Sequence, residues 1–204
     1  MRTFYLISHP NVVISRDVPV PHWPLSERGR SRMRAGLQQP WVKDVVAIYS
    51  STEQKAMDGA GILGEHLSQP FTAIHELGEN DRSATGFLPG EEFERVADEF
   101  FANPQTSVRG WERAVDAQAR MVKAVEQVAG LEQARAKRGG VAGEEAEAVA
   151  IVSHGAVGTL LYCHVTGQAI SRRWDQPPNG GGNWFRFTLT PREASDRWQP
   201  LDVL

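Results

Sequence analysis

The sequence predicts an α/β fold, a three-layer α/β/α sandwich in which helices cover both faces of a mostly parallel sheet. Three observations carry this. Short apolar, β-rich runs alternate with longer stretches of helical periodicity along the chain. That β-α-β-α order supplies the crossover helices that parallel neighbours require. The chain has 204 residues, enough to bury a sheet on both sides, and is read as one domain over 1–204.

Thr3, Phe4, Tyr5, Leu6 and Ile7 form the first expected strand, which ends at Ser8-His9-Pro10. A loop with Pro19, Pro21 and Pro24 follows, and Ser26 is placed to cap a helix reaching about residue 39. Residues 45–50 form a second apolar strand, after which Ser51 or Thr52 caps a helix carrying Ala56, Ala60, Leu63 and Leu67 at helical spacing. Residues 71–74 are a third strand and 75–82 an acidic loop. Helices are expected over 91–102 and 111–136, separated from the fourth strand (148–152) by a charged, Gly-containing loop at 137–145 that reads as flexible surface. A helix over 155–166 and a final strand over 184–189 complete the pattern. Asn179-Gly180-Gly181-Gly182-Asn183 has no Lys-Ser/Thr after it, so it reads as a mobile cleft-side loop and not as a nucleotide P-loop.

Composition narrows the function classes. Hydrophobic residues make up 41% and charged residues 23%, an ordinary globular balance. The net charge of -3 gives no global attraction to nucleic acid or to an anionic membrane, so neither is an expected partner. Cys163 is alone, which rules out an internal disulfide and a Cys-based zinc site within the chain, and fits a reducing cytoplasm. The apolar run after Arg2 is too short for a signal peptide or membrane span and reads as a buried strand. His22, His66, His75 and His164 lack metal-ligand spacing, and no metal or cofactor is expected. The six tryptophans are scattered, as core or cleft-mouth residues would be.

Two histidines stand apart from these four. His9 follows the first strand and His154 the fourth, and strand ends are where an α/β sheet meets its ligands. Imidazole is well suited there to act as a nucleophile or proton carrier near neutral pH. A dinucleotide-binding domain is a poor fit, because no Gly-x-Gly-x-x-Gly follows the first strand.

Four ordered segments resemble the histidine phosphatase superfamily, the phosphoglycerate mutase-like fold. Leu6-Ile7-Ser8-His9-Pro10 lies where the family has strand and Arg-His-Gly. Pro24-Leu25-Ser26-Glu27-Arg28-Gly29-Arg30 is similar to its Leu-Thr/Ser-x-x-Gly helix start. Tyr49-Ser50-Ser51-Thr52-Glu53-Gln54-Lys55-Ala56 is similar to its Ser-x-x-x-Arg-Ala segment, and Val152-Ser153-His154-Gly155 matches its Ser-His-Gly. The resemblance implies a hydrolase of small phosphomonoesters, with His9 as the nucleophile that becomes phosphohistidine and His154 binding the transferring group. Glu79 falls where the family's acid lies, with Glu76 the competing choice.

The chain departs from the family at the phosphate pocket. Ser8 stands for the first arginine, Pro10 for the glycine and Lys55 for the second arginine, so Ser8 and Lys55 are the expected phosphate contacts. Each lost charged hydrogen bond is worth roughly 1.5–3 kcal/mol. Arg82, Arg16, Arg172 and Arg173 are the candidates to fill the gap, with Arg82 counted among the phosphate contacts. Two function classes therefore follow: a phosphatase, favoured by both histidines, or a non-catalytic member binding a phosphorylated ligand or protein, favoured by the lost arginine. A mutase is not expected, because the chain lacks long insertions. Oligomeric state is not legible.

Overall fold

The computed structural model describes residues 2–139, 147–195 and 197–203. Four strands, β1 (Thr3–Ser8), β2 (Val45–Ser50), β3 (Phe71–Ala73) and β4 (Ala148–Ser153), are parallel in the order β3-β2-β4-β1. β5 (Asn183–Leu189) runs antiparallel along β1, and β6 (Arg192–Ala194) and β7 (Gln199–Pro200) pair antiparallel with β5. The helices are α1 (Glu27–Gly36), α2 (Gln54–Leu67), α3 (Gly90–Ala102), α4 (Ala114–Gly139) and α5 (Gly155–Thr166).

Residue alternation divides the core into two layers. In β1, Phe4 and Leu6 join the cluster built on Val96 and Phe100 of α3, Met121 and Val125 of α4, and Leu160 of α5. Tyr5 and Ile7, one residue out of phase, join Met33 of α1 and Ala56, Ala60 and Leu63 of α2 on the other face. Each large apolar side chain buried this way contributes on the order of 1.5–3 kcal/mol. The three-layer sandwich with a mostly parallel sheet is thus as expected.

Boundaries differ where local chemistry outweighs periodicity. Ser26 caps α1 by accepting from Gly29 N at 3.1 Å, but the helix ends at Gly36 because residues 37–39 tighten into i→i−3 bonds. Neither Ser51 nor Thr52 caps α2; Glu53 holds the N-cap position, and the Ser51 hydroxyl is used elsewhere. α4 starts three residues late and runs through Lys137 and Arg138, which were expected in a loop; the rest of that expected loop, 140–145, lies outside the described residues. β6 and β7 were not expected, since strands of three and two residues carry no readable alternation.

The sheet aligns the ends of its central strands. Ser8 of β1 is level with Ser153 of β4, and Ser50 of β2 is level with Val152. His9 N donates to Ser153 O at 3.0 Å and Ser51 N to Val152 O at 3.0 Å, so parallel pairing continues one step past the strands. His9, His154 and Ser51 therefore emerge side by side at the carboxyl edge.

Candidate active site

The His9 and His154 rings meet edge to face, with centroids 5.1 Å apart. His9 Nδ1 lies 2.9 Å from the Pro10 carbonyl, which can only accept, so Nδ1 carries the proton and Nε2 keeps the lone pair. Burial, and then the nearby Lys55 ammonium, lower the His9 pKa to about 4, against partial opposition from the Pro10 carbonyl and Glu53. The ring is therefore neutral at pH 7, as an imidazole nucleophile must be.

His154 has no solvent exposure. Its Nε2 lies 2.7 Å from Ser51 Oγ and 3.4 Å from Glu53 Oε1, while its buried Nδ1 meets no hydrogen-bonding partner among the described residues. Burial holds its pKa well below the ordinary value despite the raising effect of Glu53. Glu53 was not singled out from sequence, although it lies inside the Ser-x-x-x-Lys-Ala segment. Its Oε1 accepts from Glu79 N at 2.9 Å, and its Oε2 accepts from Lys55 Nζ. Burial alone would push this carboxyl up, but His154, Lys55 and the Glu79 N–H hold it well below the usual carboxylate range.

Lys55 is 3% exposed, contrary to the ordinary expectation for a lysine on an amphipathic helix. Its ammonium donates to Glu53 and, at 2.9 Å, to Val20 O, which leaves one of three donors for a ligand.

Glu79 and Glu76 separate cleanly. Glu76 is exposed, whereas the Glu79 carboxylate accepts from Val157 N at 3.1 Å and Ala156 N at 3.4 Å in the first turn of α5. His154 is the N-cap of that same helix. Burial pushes the Glu79 carboxyl up, with Arg82 and the α5 N–H groups pulling against it. Arg120 fixes this loop from behind, donating to Glu76 O at 2.7 Å, Gly78 O at 3.0 Å and Glu79 O at 3.1 Å.

Of the arginines, Arg82 is the one whose charge acts on both histidines. It lowers the pKa of both His9 and His154, and its guanidinium rests on the faces of Phe93 and Trp111 at 5.1 and 5.6 Å. Among the described residues no carboxylate forms an ion pair with it. Arg16 rests on Phe87, Arg173 on Trp174, and Arg172 is engaged by Glu94 and Asp98.

A family model for the histidine phosphatase superfamily (branch 1) matches residues 5–193, nearly the whole chain. The chain belongs to this superfamily. It is by class a histidine-type phosphomonoester hydrolase. Solved structures share its fold. A mycobacterial glucosyl-3-phosphoglycerate phosphatase is 20% identical with a TM-score of 0.79, covering 98% of this chain and 99% of that one. YhfR of Bacillus stearothermophilus is 25% identical with a TM-score of 0.69, over 92% and 91% of the two chains. A putative alpha-ribazole-5'-P phosphatase of Escherichia coli is 16% identical with a TM-score of 0.69, over 98% and 97%. No curated protein matches the sequence.

Two expectations for this histidine phosphatase need correction. Ser8 does not offer its hydroxyl to a phosphate: it is 1% exposed, donates to Gln176 Oε1 at 2.6 Å and accepts from Asn183 N at 3.0 Å. Its place in β1, in phase with Phe4 and Leu6, turns it toward the α5 layer. The Gly-rich segment is no loose cleft-side loop either. Gly180, Gly181 and Gly182 all have positive φ, Gly182 N donates to His9 O at 3.1 Å, and a Cβ on Gly181 would lie 2.2 Å from that same carbonyl. The glycines let this segment lie flat against the backbone that carries His9. A sequence of three glycines shows backbone freedom but not what the backbone approaches.

Proposed function

We propose that the chain hydrolyses a small phosphomonoester in two steps. The lone pair of His9 Nε2 attacks phosphorus, the ester P–O bond breaks, and the Glu79 carboxylic acid gives its proton to the departing alkoxide. Water then attacks the phosphohistidine with the Glu79 carboxylate accepting its proton, which returns His9 neutral and releases inorganic phosphate. His154 Nδ1 and the Arg82 guanidinium hold the phosphoryl oxygens during transfer. Lys55 and Glu53 set the charge and orientation around the two rings.

The observation that carries this reading is the joint state of three groups. A neutral imidazole with a free Nε2 faces a second histidine, and a carboxyl with a raised pKa is fixed at the helix that starts beside them. A pocket kept only for binding has no need of a buried carboxyl whose affinity for a proton is raised beside its two histidines. The related structures, named for a glucosyl-3-phosphoglycerate and an alpha-ribazole-5'-phosphate, are of phosphatases for small sugar-containing phosphomonoesters, and we place the substrate in that class. The fully buried thiol of Cys163 fits a reducing cytoplasm, and no helix among the described residues is long and apolar enough to cross a membrane.

Hydrolysis of an aryl phosphate by the purified protein tests the reading. His9→Ala is expected to abolish turnover together with an acid-labile, base-stable phosphoenzyme trapped from the wild type. Near wild-type turnover in that variant would remove His9 as the nucleophile.

A further inference from the structure

We propose that the side-chain amide of Gln176 is a phosphate-binding donor, held in place by Ser8, and that the two together replace the arginine that precedes the first histidine elsewhere in the superfamily. The inference rests on the phosphatase reading above.

Gln176 Oε1 accepts from Ser8 Oγ at 2.6 Å and from Asn183 Nδ2 at 2.9 Å. A separation of 2.6 Å is the length of an O–H···O bond and short for N–H···O, so the amide oxygen faces Ser8. The NH2 group must then face the other way, and it does so over Gly155, where an added Cβ would lie only 2.2 Å from Nε2. Gly155 opens α5 directly after His154, and side chains on a helix lean toward its N-terminus. The amide donors thus sit on the rim of the helix end shared by His154 and Glu79. No described residue accepts from Nε2, although the side chain is partly buried and its oxygen is doubly satisfied. An anionic oxygen between the two histidines is the acceptor those donors suit.

This arrangement explains three residues at once. Serine at position 8 is too short to reach a ligand bound beside His9, but its hydroxyl can clamp a longer side chain arriving from the segment after α5. Asn183 completes the clamp, since its N–H donates to Ser8 Oγ at 3.0 Å and its side chain to Gln176. Glycine at position 155 leaves open the space that the amide occupies, and a Cβ there would displace the amide. The exchange substitutes a neutral donor for a fixed cation, and Arg82 and Lys55 supply the positive charge.

The test is competitive inhibition by inorganic phosphate of aryl phosphate hydrolysis at one salt concentration. Gln176→Met keeps the length and removes the donors, and its inhibition constant is expected to rise about tenfold or more, as loss of a hydrogen bond to a charged group does. Gln176→Glu is expected to rise further, because its carboxylate repels the ligand, and it serves if the Met variant fails to fold. The decisive arm is Ser8→Arg combined with Gln176→Ala, in which a guanidinium from β1 enters the released space and restores phosphate inhibition. A purely structural role for Gln176 would not be rescued by an arginine from another strand. If Gln176→Met stays within about twofold of wild type while His9→Ala is inactive, the proposal is overturned and the phosphatase reading stands. If the wild type neither turns over nor responds to phosphate, that reading falls and takes this one with it.

Discussion

The Glu79 carboxylate accepts the backbone N–H of Val157 at 3.1 Å, so the proposed acid of this site is anchored to the helix whose N-cap is His154. A helix N-terminus favours the anionic form, yet burial outweighs it and the net shift is upward. That balance raises the affinity of the carboxyl for a proton while burial lowers that of His9, the two opposite shifts an acid and a nucleophile call for.

The first prediction concerns the leaving group. An alkoxide needs protonation as the P–O bond breaks, whereas a nitrophenolate leaves unaided. Glu79→Gln is therefore expected to slow hydrolysis of an alkyl phosphate by about 10²–10⁴ and that of p-nitrophenyl phosphate far less. Equal losses on both substrates would show that Glu79 is not the acid. Glu76→Gln, on an exposed carboxyl, is expected to change neither.

The second prediction follows from the His9 pKa of about 4 against an ordinary 6.5. The value of kcat/KM should fall as pH drops through about 4, because protonation removes the nucleophile. Stability carries the same sign. Between pH 4 and 6.5 the unfolded chain binds more protons than the folded one, so stability is lost as pH falls across that window. Urea midpoints at pH 7 and pH 5 should therefore differ more for wild type than for His9→Gln. A His9→Gln protein with the full wild-type loss would place the effect elsewhere.

How far the sequence could be read depended on the range of the interaction involved. His9 and His154 were legible because each sits at the end of an apolar run, and the register of β1 on β4 does the rest. The separation of Glu79 from Glu76 was not, since an acidic loop gives no sign of which carboxylate turns inward; Arg120, some forty residues on, decides it by gripping the loop's carbonyls. Glu53 was hidden by its type, because a glutamate at a helix start reads as a favourable N-terminal charge. The partners of Ser8 come from positions 176 and 183, at the far end of the chain. No local pattern reports a contact over that separation.

Arg82 gives the third prediction. Its guanidinium lies on Phe93 and Trp111 without a carboxylate ion pair among the described residues, so its charge is available to a phosphoryl group. Arg82→Ala is expected to raise KM and the inhibition constant for phosphate by roughly 10- to 100-fold, the loss of one or two charged donors. Arg82→Lys keeps the charge but not the planar stack, and should fall between the two. An unchanged inhibition constant in Arg82→Ala would remove it from the pocket.

The last prediction concerns a proton taken up on binding. His154 is buried and neutral, with Nε2 near Ser51 and Glu53 and with Nδ1 unpartnered among the described residues. A phosphate-like dianion beside Nδ1 would leave the ring between two negative groups, the ligand on one side and Glu53 on the other. Its cationic form then becomes the favoured one. Tungstate is a suitable probe because it remains a dianion near neutral pH and brings no proton of its own. Calorimetric titration at pH 7 in two buffers of different ionisation enthalpy is expected to show uptake approaching about one proton per site. His154→Gln should abolish the uptake and Glu53→Gln should reduce it. Glu79 is the other group able to bind a proton there, and Glu79→Gln should retain the uptake if His154 is its origin. Uptake lost with Glu79 instead would move the proton to the acid, and no uptake in the wild type would make His154 a neutral hydrogen-bond donor throughout the reaction.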